Sequence, residues 1–382
     1  MKIFGIVIEA NPLHTGHLYF IKQIKEQYSP DLIIAITSTS FTMRGEISLI
    51  DKFTKTSLYL ESGIDIVMEL PFYKAVQSAD YFAKNACLTL ANMGITNLVF
   101  GSETTNDSLF TKYLDFLKNN SLNNKTTSKK QQLIALLDNS PFNEDEKKIV
   151  AKPNFTLGSI YIKTIKDNDL NIKWNIIKRI GNNYHDKILT SNIASATTIR
   201  EYLKKKKDVT NFIPYSTTKL IDINKADEAL NLLTKYHFSL NDKITCDYGK
   251  KEGIPLYIKN NGDFSNDYQT LINSLKNKKY TVSLINRCIL HSLLNVGKHN
   301  QDTTYLRLLG ANKKGFEYIS SLPKNTKKQL FSNPNELLNQ DIDQNVIDIL
   351  NIELKATKLY QTITNSFDLY KNEFKLPIRK DD

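Results

Sequence analysis

The feature that most constrains the fold is an alternation of short apolar runs with helix-like segments over residues 2–103. The runs are rich in β-branched residues and read KIFGIVIEA (2–10), DLIIAITST (31–39), IDIVMELPF (64–72) and TNLVFGSE (96–103). Each of the first three is followed by a segment with apolar residues at helical spacing. Because neighbouring parallel strands need a crossover, which is usually a helix, this pattern predicts an α/β fold with a parallel sheet.

Polar or small residues fall at or just after the ends of these predicted strands. They are His14, Ser38, Glu69 and Gly101. In a parallel sheet all carboxyl ends meet at one edge, and ligands bind in the crevice outside that edge. The sequence therefore predicts a ligand site that these residues share.

Two of the 6 histidines in the chain, His14 and His17, flank Gly16 at the point where the first strand passes into a helix. The amino end of a helix attracts anions through its free N–H groups and its dipole. Glycine permits close approach of the backbone, and imidazoles donate hydrogen bonds to phosphate oxygens. This stretch favours phosphate binding, with a structural pair of polar residues as the alternative.

The 3 cysteines, Cys87, Cys246 and Cys288, are scattered along the chain. A structural zinc site needs Cys or His at ligand spacing, so we expect no metal site built by the protein. Unpaired cysteines indicate a reducing compartment, and we expect the chain in the cytoplasm. No apolar run approaches the roughly 20 residues of a membrane span. We therefore expect no membrane association, and nothing implies an obligate protein partner.

The remaining chain suggests a division into two domains. Residues 104–150 are polar and read as a helical insertion, after which the α/β pattern resumes and closes with IASATTIREYLKKKK (193–207). The lysine run at 204–207 marks the expected boundary. We predict an α/β domain at 1–207 and a mostly helical, basic domain at 208–382.

The positive charge is concentrated in residues 250–330. This window holds 14 Lys and Arg against 5 Asp and Glu, which is +9 of the +11 that the whole chain carries. The basic residues are interleaved with tyrosines, namely Tyr257, Tyr268, Tyr280 and Tyr305. The composition favours a nucleic-acid partner, because lysines neutralise phosphates and aromatic rings stack on bases. Solvated lysines on a lysine-rich protein are the alternative.

Two motifs together resemble the nucleotidylyltransferase superfamily. These are His14-Thr15-Gly16-His17 after the first strand and Ile193-Ala194-Ser195-Ala196-Thr197-Thr198-Ile199-Arg200 after the last. The segments EANPLHTGHLYF, MRGEISLIDKF, GIDIVMELPF, FGSE, PNFTLGSIYI and IKRIGNNYHD look like the tRNA(Met) cytidine acetate ligase family. The resemblance implies a Rossmann-like nucleotidylyltransferase sheet with a helical insertion, followed by a mostly helical C-terminal domain.

The resemblance also implies an activity. The family condenses ATP and acetate to acetyl-adenylate and pyrophosphate, then transfers acetyl to the wobble cytidine of elongator tRNA(Met), which gives N4-acetylcytidine. Mg²⁺ is expected to bridge the phosphates. Two alternatives stay open: a small-molecule adenylyl- or cytidylyltransferase, and a non-catalytic RNA-binding protein on the same fold.

The resemblance assigns site residues by position. His14 and His17 are the expected catalytic pair. The family's ATP-binding segment falls on Val7, Ile8, Glu9, Ala10, Asn11, Pro12, Leu13, His14, Thr15, Gly16, His17, Leu18, Tyr19 and Phe20, with further contacts at Gly101, Asn154 and Arg179. The family usually has an aromatic residue at the position of Ala10 and glutamine at that of Met43.

Four residues are assigned more loosely. Ser195 is a candidate phosphate contact, with a simple helix cap as the alternative. Lys278, Lys279 and Arg287 are candidate tRNA-binding residues, because they follow one another near Tyr280 in the basic window. If this segment is helical, Arg287 is expected about two turns beyond Tyr280 on the same side.

Overall fold

The computed structural model describes residues 1–120, 129–179, 194–241, 244, 246–300, 302–337 and 342–380. These residues form eight strands: β1 (Ile3–Val7), β2 (Leu32–Ser38), β3 (Ile66–Leu70), β4 (Asn97–Ser102), β5 (Lys173–Lys178), β6 (Leu306–Asn312), β7 (Leu330–Phe331) and β8 (Ile378–Lys380). The four strands predicted from the apolar runs are β1 to β4. That prediction is confirmed.

All the strands belong to one sheet, in the order β5-β4-β1-β2-β3-β6-β7, with β8 paired to β6. The five strands from β5 to β3 are mutually parallel, as expected. β6 runs antiparallel to β3 and closes that side of the parallel region. The carboxyl ends of β1, β2, β3 and β4 therefore meet at one edge of the sheet.

The helices cover the sheet and build the second half of the chain. They are α1 (Thr15–Tyr28), α2 (Lys52–Glu61), α3 (Phe72–Ala75), α4 (Ala79–Asn92), α5 (Asp107–Asn119), α6 (Lys129–Asp138), α7 (Glu144–Val150), α8 (Pro153–Asp167), α9 (Ala196–Lys204), α10 (Ile223–Leu240), α11 (Ile254–Asn261), α12 (Tyr268–Leu275), α13 (Val282–Leu293), α14 (Lys313–Ser321), α15 (Lys324–Gln329) and α16 (Gln344–Thr364). Short 3-10 helices lie at Thr217–Lys219, Pro334–Leu337 and Leu369–Phe374.

β2 shows why the central strands are almost wholly apolar. Alternate side chains of a strand point to opposite faces of the sheet. Ile34 and Ile36 enter the core formed with α4 and α8, whereas Ile33 and Ala35 enter the core formed with α1 and α2. Because both faces are covered, the strand needs apolar residues at successive positions.

The insertion expected at residues 104–150 contains three helices, α5, α6 and α7. Its start is attached to the sheet, and its first and last helices are joined to each other. Trp174 of β5 donates from Nε1 to Asp107 at the start of α5 (3.0 Å), and Lys112 of α5 pairs with Glu146 of α7 (2.7 Å). Phe110 and Tyr113 of α5 pack on Phe155 of α8, so the insertion extends the core beside β4.

The second half is mostly helical, as expected, yet it also supplies β6, β7 and β8 to the sheet. The proposed division at residue 207 therefore does not follow a boundary of the sheet. Helices α10, α11, α12 and α13 contact one another, and α16 packs on α3 beside β3. None of the helices formed by the described residues is long and apolar enough to cross a bilayer.

A buried group of five charged residues joins the two halves. Lys52 of α2 contacts Glu69 of β3 (2.8 Å), Glu353 of α16 (2.9 Å) and Glu373 (2.6 Å). Arg307 of β6 contacts Glu373 (2.8 Å) and Glu69 (3.4 Å). We call these residues the buried charge cluster. It joins β3 and β6 of the sheet to α16, so the second half of the chain packs directly against the first half.

Candidate functional site

The predicted imidazole pair forms the amino-terminal cap of α1. His14 Nδ1 accepts a hydrogen bond from the backbone N–H of Gly16 (3.0 Å), and the backbone N–H of His14 donates to His17 Nδ1 (3.3 Å). The two ring centroids are 4.0 Å apart. This reciprocal arrangement is a capping box in which imidazoles replace the usual hydroxyl and carboxylate.

The cap fixes what the imidazoles offer to a ligand. A neutral imidazole whose Nδ1 accepts a hydrogen bond carries its proton on Nε2. Burial, together with the Arg179 charge, lowers the pKa of His14 to about 4. Burial, His14 and Arg179 also hold the pKa of His17 well below its usual value. At neutral pH both rings are therefore uncharged and present Nε2–H donors beside the amino end of α1.

The ATP segment expected at residues 7–20 is one continuous feature of the structure. Val7 ends β1, residues 8–13 form a buried or half-buried loop, and Thr15 to Phe20 form the first turns of α1. Ala10 has a left-handed backbone (φ 38°) and is 3% exposed. A side chain larger than alanine would need space that the surrounding core fills here.

Partners from distant parts of the chain hold this loop. Asn11 donates from Nδ2 to the Ile47 carbonyl (2.9 Å) and accepts from the Leu49 N–H (2.8 Å). The Tyr215 hydroxyl donates to the Leu13 carbonyl (2.9 Å), and Thr15 N–H donates to the Phe212 carbonyl (2.9 Å). The loop is thus fixed before any ligand arrives, which lowers the entropic cost of binding.

Gly101 and Arg179 lie together on adjacent strands. Gly101 is near the end of β4, and Arg179 follows β5 directly, where its N–H donates to the Ser102 carbonyl (2.8 Å). The Arg179 side chain crosses Gly101 so closely that a Cβ there would be 3.1 Å from Arg179 Cγ. The glycine therefore leaves room for the arginine, whose charge reaches both histidines.

Asn154 is at the amino end of α8, where Glu103 holds it. Glu103 accepts from Asn154 Nδ2 with one carboxylate oxygen (2.8 Å) and from the Phe155 N–H with the other (3.0 Å). Glu103 follows β4 immediately, so it joins the end of that strand to the start of α8. No role of Glu103 is predicted from the sequence, although its place directly after the FGS of β4 is a signal.

Ser195 caps α9, where its hydroxyl oxygen accepts from the Thr198 N–H (3.1 Å). This is the alternative stated for Ser195, and its phosphate contact stays a prediction. Arg200 of α9 donates to the Asn11 carbonyl (2.7 Å) and pairs with Glu46 (3.2 Å), so α9 lies beside the ATP segment. Ile193 of the same motif and residues 180–186 of IKRIGNNYHD lie outside the described residues.

The candidate tRNA-binding residues separate into two kinds. Lys278 and Lys279 are exposed in the turn before α13, with Lys279 Nζ 4.9 Å from the centre of the Tyr280 ring. Arg287 is only 9% exposed, and it donates to the Tyr248 hydroxyl (2.6 Å) and the Met43 carbonyl (3.1 Å). The expectation of a surface Arg287 is corrected, because its guanidinium is bound within the protein.

Two of the four tyrosines of the basic window also need correction as base-stacking candidates. Tyr280 is 7% exposed and Tyr305 is 1% exposed. Tyr280 packs in the core of α11, α12 and α13, and the Tyr305 hydroxyl donates to Glu69 (2.6 Å). Both rings are core residues, so they offer no face to a nucleic acid.

Glu69, predicted to join the shared crevice, is fully buried in the charge cluster. The same edge holds a cation that is not predicted from the sequence. Lys55 of α2 is 0% exposed and donates to the carbonyls of Ser38 (3.2 Å) and Thr39 (3.3 Å), while burial lowers its pKa to about 8. The nearby Glu9 carboxylate partly opposes this shift. Among the described residues, no three His, Cys, Asp or Glu side chains converge to hold a metal ion.

Comparison with known proteins identifies the family of this chain. A family model described as HIGH Nucleotidyl Transferase matches residues 1–374. The tRNA(Met) cytidine acetate ligase of Anoxybacillus flavithermus is 32% identical over 392 residues, which cover 95% of this chain and 95% of that protein. The protein of the same description from Staphylococcus haemolyticus is 31% identical over 396 residues, covering 99% and 98%.

Solved structures of TmcAL from Thermotoga maritima match over 100% of both chains. The structure bound with alpha-thio ATP has a TM-score of 0.81 at 26% identity, and the apo structure has 0.83 at 28%. The family model, the relatives and the shared fold all extend over nearly the whole sequence. The chain belongs to the HIGH nucleotidyl transferase family and, within it, to the family of tRNA(Met) cytidine acetate ligases.

Proposed function

We propose that this protein activates acetate with ATP and transfers the acetyl group to the wobble cytidine of elongator tRNA(Met). The observation that carries the proposal is the pair of uncharged imidazoles on the amino end of α1, with the Arg179 guanidinium close to both. Donors of this kind stabilise a phosphoryl group that gains negative charge. The descriptions of the relatives support acetate and tRNA(Met) as the other substrates.

The first step joins acetate to AMP. A carboxylate oxygen of acetate attacks the α-phosphorus of ATP, and the bond from that phosphorus to the bridging oxygen of pyrophosphate breaks. The Nε2–H groups of His14 and His17 donate to phosphate oxygens, and Arg179 supplies a fixed positive charge. These groups act by placing the reactants and by stabilising developing charge.

The second step moves the acetyl group. The exocyclic N4 amine of cytidine attacks the carbonyl carbon of acetyl-adenylate, the bond from that carbon to the AMP oxygen breaks, and the amine loses a proton. The products are N4-acetylcytidine and AMP. The proposed partner surface for tRNA is the basic region of the second half, with Lys278 and Lys279 as exposed members.

Magnesium is proposed to arrive with the nucleotide rather than to occupy a site built by the protein. Mg²⁺ binds phosphate oxygens and water with few protein ligands, and it neutralises phosphate charge. The residues proposed to bind the phosphates are donors, namely the imidazoles, Arg179 and the helix N–H groups. Because these groups donate hydrogen bonds and do not ligate cations, Mg²⁺ would be held by the phosphate oxygens of the nucleotide and not by the protein. The cytoplasm, where ATP and tRNA occur together, is the proposed location, and the three unpaired cysteines are consistent with it.

The test is mass spectrometry of tRNA nucleosides after incubation with the protein, ATP, Mg²⁺ and ¹³C-labelled acetate. We expect labelled N4-acetylcytidine in tRNA(Met), together with AMP and pyrophosphate in equal amounts. A second assay follows exchange of labelled pyrophosphate into ATP, which should require acetate. Transfer of a nucleotidyl group to a phosphorylated small molecule, without acetylation of RNA, would instead indicate the small-molecule transferase. Binding of tRNA without any turnover of ATP would indicate the non-catalytic protein.

A further inference from the structure

A short hairpin at residues 41–47 lies beside the ATP segment and was not assigned a role above. Phe41 and Ile47 form a β-bridge that closes it. Inside, Thr42 N–H donates to the Glu46 carbonyl (2.9 Å), and Gly45 N–H donates to the Thr42 carbonyl (2.8 Å). We call residues 41–47 the hairpin.

Three separate parts of the protein hold the hairpin in place. Met43 N–H donates to the Glu9 carboxylate in the ATP segment (2.7 Å), and the Met43 carbonyl accepts from Arg287 of α13 (3.1 Å). Glu46 pairs with Arg200 of α9 (3.2 Å). The hairpin therefore connects the nucleotide side of the site to the helical second half.

Gly45 shows how closely α13 approaches. Its backbone is left-handed (φ +72°), and a Cβ there would be 2.6 Å from the backbone nitrogen of Arg287. Any larger residue would push the hairpin away from α13 and would also strain the backbone. The turn is therefore fixed against the amino-terminal half of α13, and Lys278 and Lys279 lie just before that helix.

Arg44 differs from its neighbours in the hairpin. Thr42 and Gly45 are buried and Met43 is half-buried, whereas Arg44 is exposed. Within the described part of the chain, the structure records no hydrogen bond or ion pair for its guanidinium. The two carboxylates that take part in the hairpin's contacts already have partners. Glu9 accepts from the Met43 N–H, and Glu46 pairs with Arg200. Arg44 is thus a cation without a partner among the described residues, on a turn that three other parts of the chain hold in place.

We propose that Arg44 binds a backbone phosphate of the tRNA next to the nucleotide that receives the acetyl group. A guanidinium matches phosphate geometry with two parallel hydrogen bonds, and a fixed turn reduces the entropy lost on binding. The ATP phosphates have their own donors at α1, and Arg44 lies on the turn that faces α13. The inference rests on the proposed function and adds a residue to its tRNA contact.

The experiment compares Arg44→Ala and Arg44→Lys with the unaltered protein, using tRNA(Met) transcript and a filter-binding titration at several salt concentrations. Arg44→Ala should weaken tRNA binding on the order of 10-fold and reduce the slope of log affinity against log salt by about 0.7 to 0.9. Arg44→Lys should keep the slope, because the charge remains, but lose part of the affinity with the planar donor pair. Binding of alpha-thio ATP, measured by calorimetry, should stay within about twofold in both variants.

The matched control is Lys148→Ala, which removes one exposed positive charge from α7 in the helical insertion. It should leave both the affinity for tRNA and the salt slope unchanged. Equal affinities for Arg44→Ala and the unaltered protein would overturn the inference, as would a loss confined to alpha-thio ATP binding. Failure of the unaltered protein to acetylate tRNA would instead reject the proposed function, so the two failures are distinguishable.

Discussion

At the scale of single residues, His14 and His17 owe their chemistry to a backbone contact rather than to a charged partner. Each Nδ1 is occupied by an N–H of the helix cap, and burial disfavours the charged form of each ring. A phosphate that approaches α1 therefore meets two neutral donors. The spacing H-x-x-H predicted an anion site, but only the cap shows which ring nitrogens face a ligand.

The first prediction concerns the protonation of His14. Its pKa of about 4 in the folded protein lies below the usual value near 6.5, so the unfolded chain binds more protons in between. The contribution of neutral His14 to the free energy of unfolding is therefore complete above about pH 6.5, and it is lost as the pH falls toward 4. Two-dimensional ¹H–¹⁵N NMR of the ring nitrogens should show the Nε2–H tautomer without titration from pH 8 to 5.5. A ring that protonates near pH 6.5 in the ligand-free protein would contradict this.

The second prediction concerns turnover. His17→Ala removes one donor to the phosphate and should reduce acetate-dependent formation of AMP on the order of 100-fold. The cap loses a contact worth about 1 kcal/mol, so the protein should remain folded. His237→Ala, which makes the same change in α10, serves as the control and should retain activity. Near-normal turnover by folded His17→Ala would remove His17 from the catalytic pair.

Arg287 shows what the sequence could not reveal about a residue. Its position after Lys278 and Lys279 suggested an exposed basic cluster. Its guanidinium instead donates to the Tyr248 hydroxyl and to the Met43 carbonyl of the hairpin, which is 244 residues away in the sequence. Contacts of this kind depend on tertiary structure, and local spacing carries no information about them. The surface character of Arg44, by contrast, follows from its place at the tip of a turn.

At the scale of elements, the junction of β4 with α8 holds Asn154, one of the proposed nucleotide contacts, in place. Glu103 bridges the end of the strand and the start of the helix, although 51 residues separate it from Asn154. The insertion of α5, α6 and α7 lies between them in the chain. The sequence predicted β4 and a resumption of the α/β pattern after the insertion, but a contact across an insertion of unknown shape could not be predicted from it.

The third prediction tests this junction. Glu103→Ala should raise KM for ATP on the order of 10-fold, because the Asn154 amide loses the carboxylate that orients it, while kcat changes less. The lost cap should lower the free energy of unfolding by only about 1 kcal/mol. Glu103→Gln keeps one acceptor oxygen, so its KM for ATP should lie between those of Glu103→Ala and the unaltered protein.

Asn143→Ala is the control, because the Asn143 side chain also accepts from backbone N–H groups at the start of a helix, those of Asp145 and Glu146 in α7. It should cost similar stability and leave KM for ATP unchanged. If the two alanine variants have the same KM, the carboxylate of Glu103 has a structural role only.

At the scale of the whole molecule, the sequence predicted the parallel strands β1 to β4. It did not predict the later strands β6, β7 and β8, which complete the sheet. The first four strands carry continuous apolar runs, which is the pattern of a sheet covered on both faces. The run YLRLLG of β6 is as apolar, but it lies far along the chain within a helical region, where a short buried run fits helix or strand equally. Its pairing with β3 depends on residues at least 240 positions apart.

The fourth prediction concerns the buried charge cluster that joins these halves. Lys52→Met leaves three carboxylates buried with Arg307 as their remaining cation, and breaking a buried pair typically costs roughly 3–5 kcal/mol. Urea denaturation followed by circular dichroism should therefore show a clearly lower midpoint. Lys22→Met, at a lysine whose side chain is 70% exposed, should change stability by less than about 0.5 kcal/mol. Equal midpoints for the two variants would mean that the cluster does not stabilise the union of the halves.

The fifth prediction concerns the charge of the second half. Lys278 and Lys279 are exposed in the turn directly before α13, the helix that supports the hairpin. Their double replacement by Ala should weaken tRNA(Met) binding and flatten the dependence of log affinity on log salt by somewhat less than one unit per lost phosphate contact. Acetate-dependent pyrophosphate exchange should be almost unaffected, because no described contact joins these lysines to the ATP segment.

The control is the double replacement of Lys327 and Lys328 by Ala, which removes the same charge from α15 in the same basic window. If both double variants lower affinity equally, tRNA responds to net charge alone and not to the turn before α13. If only the first does, the turn is part of the surface that places the cytidine at the nucleotide site.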